Sequence, residues 1–370
     1  MNRIKLIWLL IGCLLSGCAT RPGADVLTPV AMAPEAKVVS LYVATTRERQ
    51  DPGSNVFNNE RSATLNYALF NISIPPDHKP SEIEWPDGKP DARKHFVTVG
   101  QQVLTGRQFF QGVRRYQGGS KKQDVIVFVH GYNSSLQEAL FRLAQMNADS
   151  HIQGTPILFA WPSQAKVSGY IADKDSVTYS RDYLVQLLTT LAEDPQIGKV
   201  VLFAHSMGSW LSVEALRQLK LSGKVHVLRR LDVALAAPDI DVDVFRSQIE
   251  VIGPMASPMV LLVSKDDKAL SVSNKISADR ERVGVMDVSD PDVQKVALKA
   301  NLTIIDISSI AATDAFRHNR FASLAALYPH LRQQGLANKP INNAGAFVLN
   351  TVGSAVSSPF RLAGQALGGE

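Results

Sequence analysis

From Asp124 onward, short and largely apolar runs alternate with stretches whose apolar residues recur every three or four positions. The runs fall at residues 125–129, 156–160, 199–203, 231–235, 259–263 and 302–307. A strand without a polar face is buried on both sides, as happens inside a parallel sheet covered by helices. Helical spacing marks 136–146, 182–191 and the stretch from 207 to 219. The alternation predicts a mostly parallel, doubly wound α/β sheet with helices on both faces. Upstream, residues 38–43 and 67–74 have strand character, the second run ending at Pro75-Pro76. The Pro, Gly, Asn and Ser residues of 50–61 predict a loop. There is no internal repeat.

The run at 200–203 leads into Ala204-His205-Ser206-Met207-Gly208, and helix-forming sequence follows at once. This is the pattern of a nucleophile elbow, a sharp strand-to-helix turn that holds a serine hydroxyl at the end of a sheet. The backbone is strained at the serine and the chain packs closely beside it, so small residues such as Ala204 and Gly208 are needed there. A serine hydroxyl becomes a good nucleophile only when a base takes its proton and a carboxylate orients that base.

On such a sheet the acid and then the histidine follow the serine in chain order, each in a loop after a strand. Of eight histidines, His226, His318 and His330 lie beyond the elbow. His226 precedes the candidate acids, and His330 sits in a helical pattern over 321–331. His318, in a loop after the last strand, is the candidate base. For the acid, Ser264 followed three positions later by Asp267 is the favoured pattern, with Asp266 and Asp239 as alternatives. The carboxylates not used would serve as turn or cap residues.

A tetrahedral intermediate also needs donors aimed at its oxyanion. The backbone N–H of Met207 is one candidate. Tyr132, in His130-Gly131-Tyr132-Asn133 after an early strand, supplies the other. His130 and His205 are expected to brace the fold. Trp161, in Trp161-Pro162-Ser163 after the strand at 156–160, is expected either to wall the pocket or to pack. No metal site or cofactor is expected, because His-Glu-x-x-His, ligand-spaced histidines, a phosphate loop and a dinucleotide fingerprint are all missing from the sequence.

The 370 residues are 45% hydrophobic and 20% charged, ordinary globular values. The N-terminus stands apart from them. Asn2, Arg3 and Lys5 precede an apolar stretch at 6–15, followed by Leu15-Ser16-Gly17-Cys18. That stretch is about half the ~20 residues of a membrane span and reads as an export signal. Leu-Ser-Gly-Cys resembles the bacterial lipobox, which implies cleavage before Cys18 and a lipid on that cysteine. Ala19 after the cysteine, by resemblance to known sorting rules, favours the outer membrane over the inner. Cys13 and Cys18 are the chain's two cysteines, so the mature protein has no disulfide. Loss of Arg3 and Lys5 lowers the formal charge of +5 by two, too little excess to argue for nucleic acid. The modest cluster of Arg114, Arg115, Lys121 and Lys122 reads as a solvated loop.

Several phrases together resemble one family, the α/β hydrolases grouped as domain of unknown function 900, described as esterase/lipase-like and often exported. They are Tyr42-Val43-Ala44-Thr45-Thr46-Arg47, Val127-Phe128-Val129-His130-Gly131-Tyr132-Asn133 and Phe159-Ala160-Trp161-Pro162-Ser163. The elbow itself, Ala236-Ala237-Pro238-Asp239-Ile240 and residues 264–270 complete the set. The resemblance covers about 38–335 and implies an α/β-hydrolase fold with Ser206 as nucleophile, Asp267 as acid and His318 as base. Ala204 and Arg317 stand where the family often has glycine.

The expected organisation is a lipoprotein signal at 1–17, a lipidated Cys18 with a flexible tether at 18–35, an α/β-hydrolase domain at 36–337, and a disordered or weakly helical tail at 338–370. The expected protein is a lipid-anchored serine hydrolase of the bacterial envelope that cleaves carboxylic esters. Its expected partners are a small-molecule or lipid ester and the membrane. A peptidase or acyltransferase with the same triad, and a non-catalytic envelope lipoprotein on this fold, are the alternative readings.

Overall fold

The computed structural model describes residues 21–116, 122–151, 153–333, 345–349 and 355–357. The N-terminal third gives β1 (Lys37–Arg49), β2 (Phe57–Ile74), β3 (Val97–Leu104) and α1 (Gly106–Arg114). The central part alternates: β4 (Gln123–Val129), α2 (Leu136–Ser150), β5 (Thr155–Ala160), α3 (Tyr170–Glu193), β6 (Ile197–His205) and α4 (Met207–Leu221). After a helical turn come β7 (Leu231–Ala236), α5 (Val242–Ile252), β8 (Met259–Val263) and α6 (Lys268–Ile276). The chain continues with α7 (Pro291–Lys299), β9 (Leu302–Asp306), α8 (Arg320–Gln333), β10 (Gly345–Leu349) and β11 (Ala355–Ser357).

These strands form one eleven-stranded sheet in the order β11-β10-β9-β8-β7-β6-β4-β5-β1-β2-β3. From β10 to β1 every neighbouring pair is parallel. β2, β3 and β11 add antiparallel edges. The inner strands are buried on both faces, as their apolar runs require. On β4, Val125, Val127 and Val129 join the core beneath α3 and α4, while Phe128 joins the core beneath α2. Each such side chain taken from water contributes roughly 1.5–3 kcal/mol before chain entropy is subtracted. Because β4, β6, β8 and β9 run parallel, the loops that follow them open at one edge of the sheet, where ligands bind in such folds.

Several elements depart from the sequence pattern. β2 starts at Phe57, inside the stretch expected to be a loop, because bulged pairing with β1 continues through Arg47 with Arg61 and Arg49 with Phe57. α3 begins twelve residues before Asp182. Its first half hides Asp173, Ser176 and Ser180, polar side chains that break the apolar period yet are hydrogen-bonded inside the fold. Strands occupy 345–349 and 355–357, where disorder or weak helix was expected, and β10 pairs with β9.

The expected tether is also different over its described part. Val26 and Leu27 are buried in the α2-side core, and Val30 N–H donates to Thr98 O at 2.9 Å. The two buried side chains act with hydrogen bonds such as Thr98 Oγ1 to Val26 O at 3.0 Å to dock this Pro- and Ala-rich stretch. The signal segment and Cys18 lie outside the described residues. Among the described residues no helix is long and apolar enough to cross a membrane.

Candidate active site

Ser206 sits between β6 and α4 with φ 54° and ψ −122°. A non-glycine residue in such a region costs about 1–3 kcal/mol and persists only where its surroundings fix it. Here Ser206 N–H donates to Ala236 O at 2.9 Å, and Ser206 O accepts from Ser209 N–H at 2.9 Å and Asp239 N–H at 3.2 Å. The close packing that calls for small residues is measurable. A Cβ on Gly208 would lie 2.4 Å from His130 O and 2.6 Å from Val129 O, and one on Gly131 would lie 2.9 Å from Ser206 Cβ. Ala204 is wholly buried.

Of the three candidate carboxylates, Asp267 is the one bonded to His318. Its Oδ2 lies 2.6 Å from His318 Nδ1, while Oδ1 caps α6 by accepting Leu270 N–H at 3.0 Å. Burial favours the neutral imidazole of His318, but the carboxylates of Asp267, Asp239 and Asp314 outweigh it and hold the pKa above the ordinary value. Ser206 and His318 line the same cavity without a hydrogen bond between them. That contact is often long in unliganded sites and tightens with substrate.

Asp266 has a different position. Its carboxylate binds Arg320 at 2.7 and 2.9 Å and Arg317 at 2.7 Å, clamping both ends of the turn that carries His318. Partial burial works against its ionisation, yet the bonds from Arg320, Ser264 and Arg317 hold its pKa at about 2. Arg317 adopts φ 58°, the left-handed conformation that explains a glycine at this position. Asp239 is buried against Arg282 at 3.3 Å and accepts from Ser273 Oγ at 2.6 Å and Tyr170 Oη at 3.1 Å. Burial and the Asp239 charge push the Tyr170 phenol to about 12, so it remains a donor.

The loop after β4 has its amides assigned almost one by one. Asn133 N–H goes to Asp173 at 3.2 Å, Ser134 N–H to Ser163 Oγ at 3.2 Å and Ser135 N–H to Glu138 at 2.8 Å. Tyr132 N–H has no partner among the described residues. Met207, the first residue of α4, also has an N–H without an intrahelical acceptor. Burial and the nearby Arg47 charge push the His130 pKa to about 3. The neutral ring lies within hydrogen-bonding distance of the Gly131 and Trp161 carbonyls. Trp161 is fully buried, stacks on His130 and donates to its carbonyl at 2.8 Å, so it packs beneath the site. His205 is buried and neutral, with Nε2 3.3 Å from His318 O and its ring against Phe321.

Residues 112–335 match the family model described as alpha/beta hydrolase of unknown function (DUF900). The chain belongs to this family. It is also similar to an uncharacterized protein from Nostoc sp. (strain PCC 7120), 22% identical over 342 residues, covering 75% of this chain and 85% of the relative. Among solved structures it is similar to an esterase determined with p-nitrophenol, with 12% identity, a TM-score of 0.39, and 91% and 88% of the two chains covered. It is similar too to a cutinase-like protein from Cryptococcus sp., with 12% identity, a TM-score of 0.30, and 61% and 98% covered.

In this alpha/beta hydrolase, a cavity of about 430 Å³ opens over Ser206 and His318. Tyr132 and Tyr170 line it with their rings edge to face at 5.3 Å, and Ile83 and Trp85 line it too. The sequence did not mark Asp314, whose carboxylate accepts the His318 and Asn319 amides at 2.8–3.2 Å. Nor did it mark Asp173, which pins the Tyr132-Asn133 loop. Asp314 acts through backbone amides and Asp173 through the Asn133 and Gln164 amides and the Ser163 hydroxyl, and no sequence pattern announces such partners.

Proposed function

We propose that this alpha/beta hydrolase is a serine esterase of the bacterial envelope, anchored through a lipid on Cys18 and working through an acyl-enzyme. His318 takes the Ser206 proton at Nε2 as Oγ attacks the ester carbonyl, and Asp267 holds Nδ1 and stabilises the imidazolium. The amides of Met207 and Tyr132 receive the oxyanion. Collapse of the tetrahedral intermediate breaks the carbonyl–alkoxy bond, and the imidazolium returns its proton to the leaving alcohol. Water then adds to the acyl-enzyme, with His318 again as base, and its collapse releases the acid and restores the Ser206 hydroxyl. An ester is favoured over an amide because an alcohol leaves more readily than an amine. The reading rests chiefly on the His318–Asp267 hydrogen bond at the cavity that Ser206 enters from a strained elbow.

Ser206→Ala is expected to lower kcat/KM on p-nitrophenyl acetate by about a thousandfold or more, with the fold retained. Unchanged turnover would remove Ser206 from the chemistry.

A further inference from the structure

Large apolar side chains gather in the open around the mouth of this cleft. Val167 and Ile171, at the entry to α3, are 79% and 74% exposed, and Val272, Ile276 and Phe316 are 50%, 57% and 57% exposed. These are five of the eleven large hydrophobic residues exposed among the described residues, drawn from three separate segments. Isolated exposed apolar residues are ordinary, but a cluster around one opening marks a surface that meets something apolar. Val167, Val272, Ile276 and Phe316 border the same cavity as Ser206. Exposed Lys166 and Lys275 stand beside Val167 and Ile276 in the chain, a combination suited to an interface with anionic headgroups.

The course of the chain says which apolar phase this is. Arg21 borders the same cavity, and its guanidinium is fixed there. It binds Glu138 Oε1 at 2.7 Å and Asn133 Oδ1 at 3.1 Å, and donates to the carbonyls of Asn133 and Ala165. Pro22 O accepts from Gln137 Nε2 at 2.7 Å. Cys18 precedes Arg21 by three residues, which reach at most about 11 Å. A lipid on Cys18 is therefore tethered within that distance of Arg21, whose side chain borders the cleft.

We propose that the apolar rim rests on the bilayer holding the Cys18 lipid, and that the substrates are long-chain acyl esters drawn from that bilayer into the cleft. This rests on Ser206 being the nucleophile and Cys18 the lipidated residue. A distant anchor would leave the exposed rim facing water. With the anchor at the mouth, the rim is covered, the ester carbonyl reaches Ser206 from the lipid phase, and the released fatty acid returns to it.

The test places the mature lipidated protein in vesicles of phosphatidylethanolamine and phosphatidylglycerol containing p-nitrophenyl palmitate. Its rate there is compared with its rate on dissolved p-nitrophenyl acetate. Joint Val167→Glu and Ile171→Glu substitution is expected to lower the ratio of the two rates roughly tenfold or more, since two charges then face the bilayer. The milder Val167→Ser and Ile171→Ser pair lowers the same ratio by a smaller factor. An unchanged ratio in both pairs, with the acetate still hydrolysed, overturns the proposal and leaves the triad standing. Failure of the unsubstituted protein on both esters, with Ser206 unlabelled by a fluorophosphonate, overturns the esterase reading beneath it.

Discussion

His318 is surrounded by negative charge. Burial alone would lower its pKa, but Asp267, Asp239 and Asp314 raise it above the ordinary imidazole value. In the proposed acylation the base form is the active one, so kcat/KM is expected to rise with pH along a limb above about 6.5. Asp267→Asn removes both the hydrogen-bonded partner and a raising charge. It should move that limb to lower pH and reduce kcat by about a thousandfold or more. Asp266→Asn leaves the Nδ1 partner in place and loosens the turn held through Arg317 and Arg320, with an expected loss of roughly tenfold. pH–rate profiles of the two variants check this, and an equal or greater loss in Asp266→Asn would reverse the roles. At this scale the sequence pointed, through the Ser264-to-Asp267 spacing, to the carboxylate that bonds His318. It was silent on Asp314, which binds backbone amides four and five residues on, and on Asp173, which binds the Ser163 hydroxyl and the Asn133 and Gln164 amides. Arg317 was visible only as a departure from glycine, and its φ of 58° and its bond to Asp266 give the departure a reason.

Among the elements, the parallel strands β4, β6, β8 and β9 bring the site together by ending at one edge of the sheet. Their apolar runs were legible because burial on both faces leaves no room for polar positions. β3 and the start of α3 were not legible, since an edge strand and a helix with buried serines lack a clean period, and α1 is only about two and a half turns long. The junction of β4 with α4 is tightly packed backbone against backbone. Gly208→Ala would drive a Cβ into the carbonyls of His130 and Val129, which are backbone and cannot rotate away. It is expected to cost at least about 2 kcal/mol, whereas Ala204→Gly should cost less than about 1 kcal/mol. Thermal melting of the two variants distinguishes these outcomes. A Gly208→Ala variant as stable as the parent would mean that α4 can move off β4.

For the whole molecule, the segment from Arg21 to Val30 is docked, with Arg21 at the cavity that carries the site. A lipid on Cys18 would therefore set which face of the protein meets the membrane. Metabolic labelling with a palmitate analogue is expected to mark the parent and not Cys18→Ala, and label retained by the variant would refute the anchor. Fold alone does not establish chemistry, and a scaffold could keep this sheet without using it. Intact-mass measurement after treatment with a fluorophosphonate tests the central claim most directly. A reactive Ser206 gives a single phosphonyl adduct on the parent and none on Ser206→Ala. No adduct on the folded parent, or one that survives in Ser206→Ala, would contradict it.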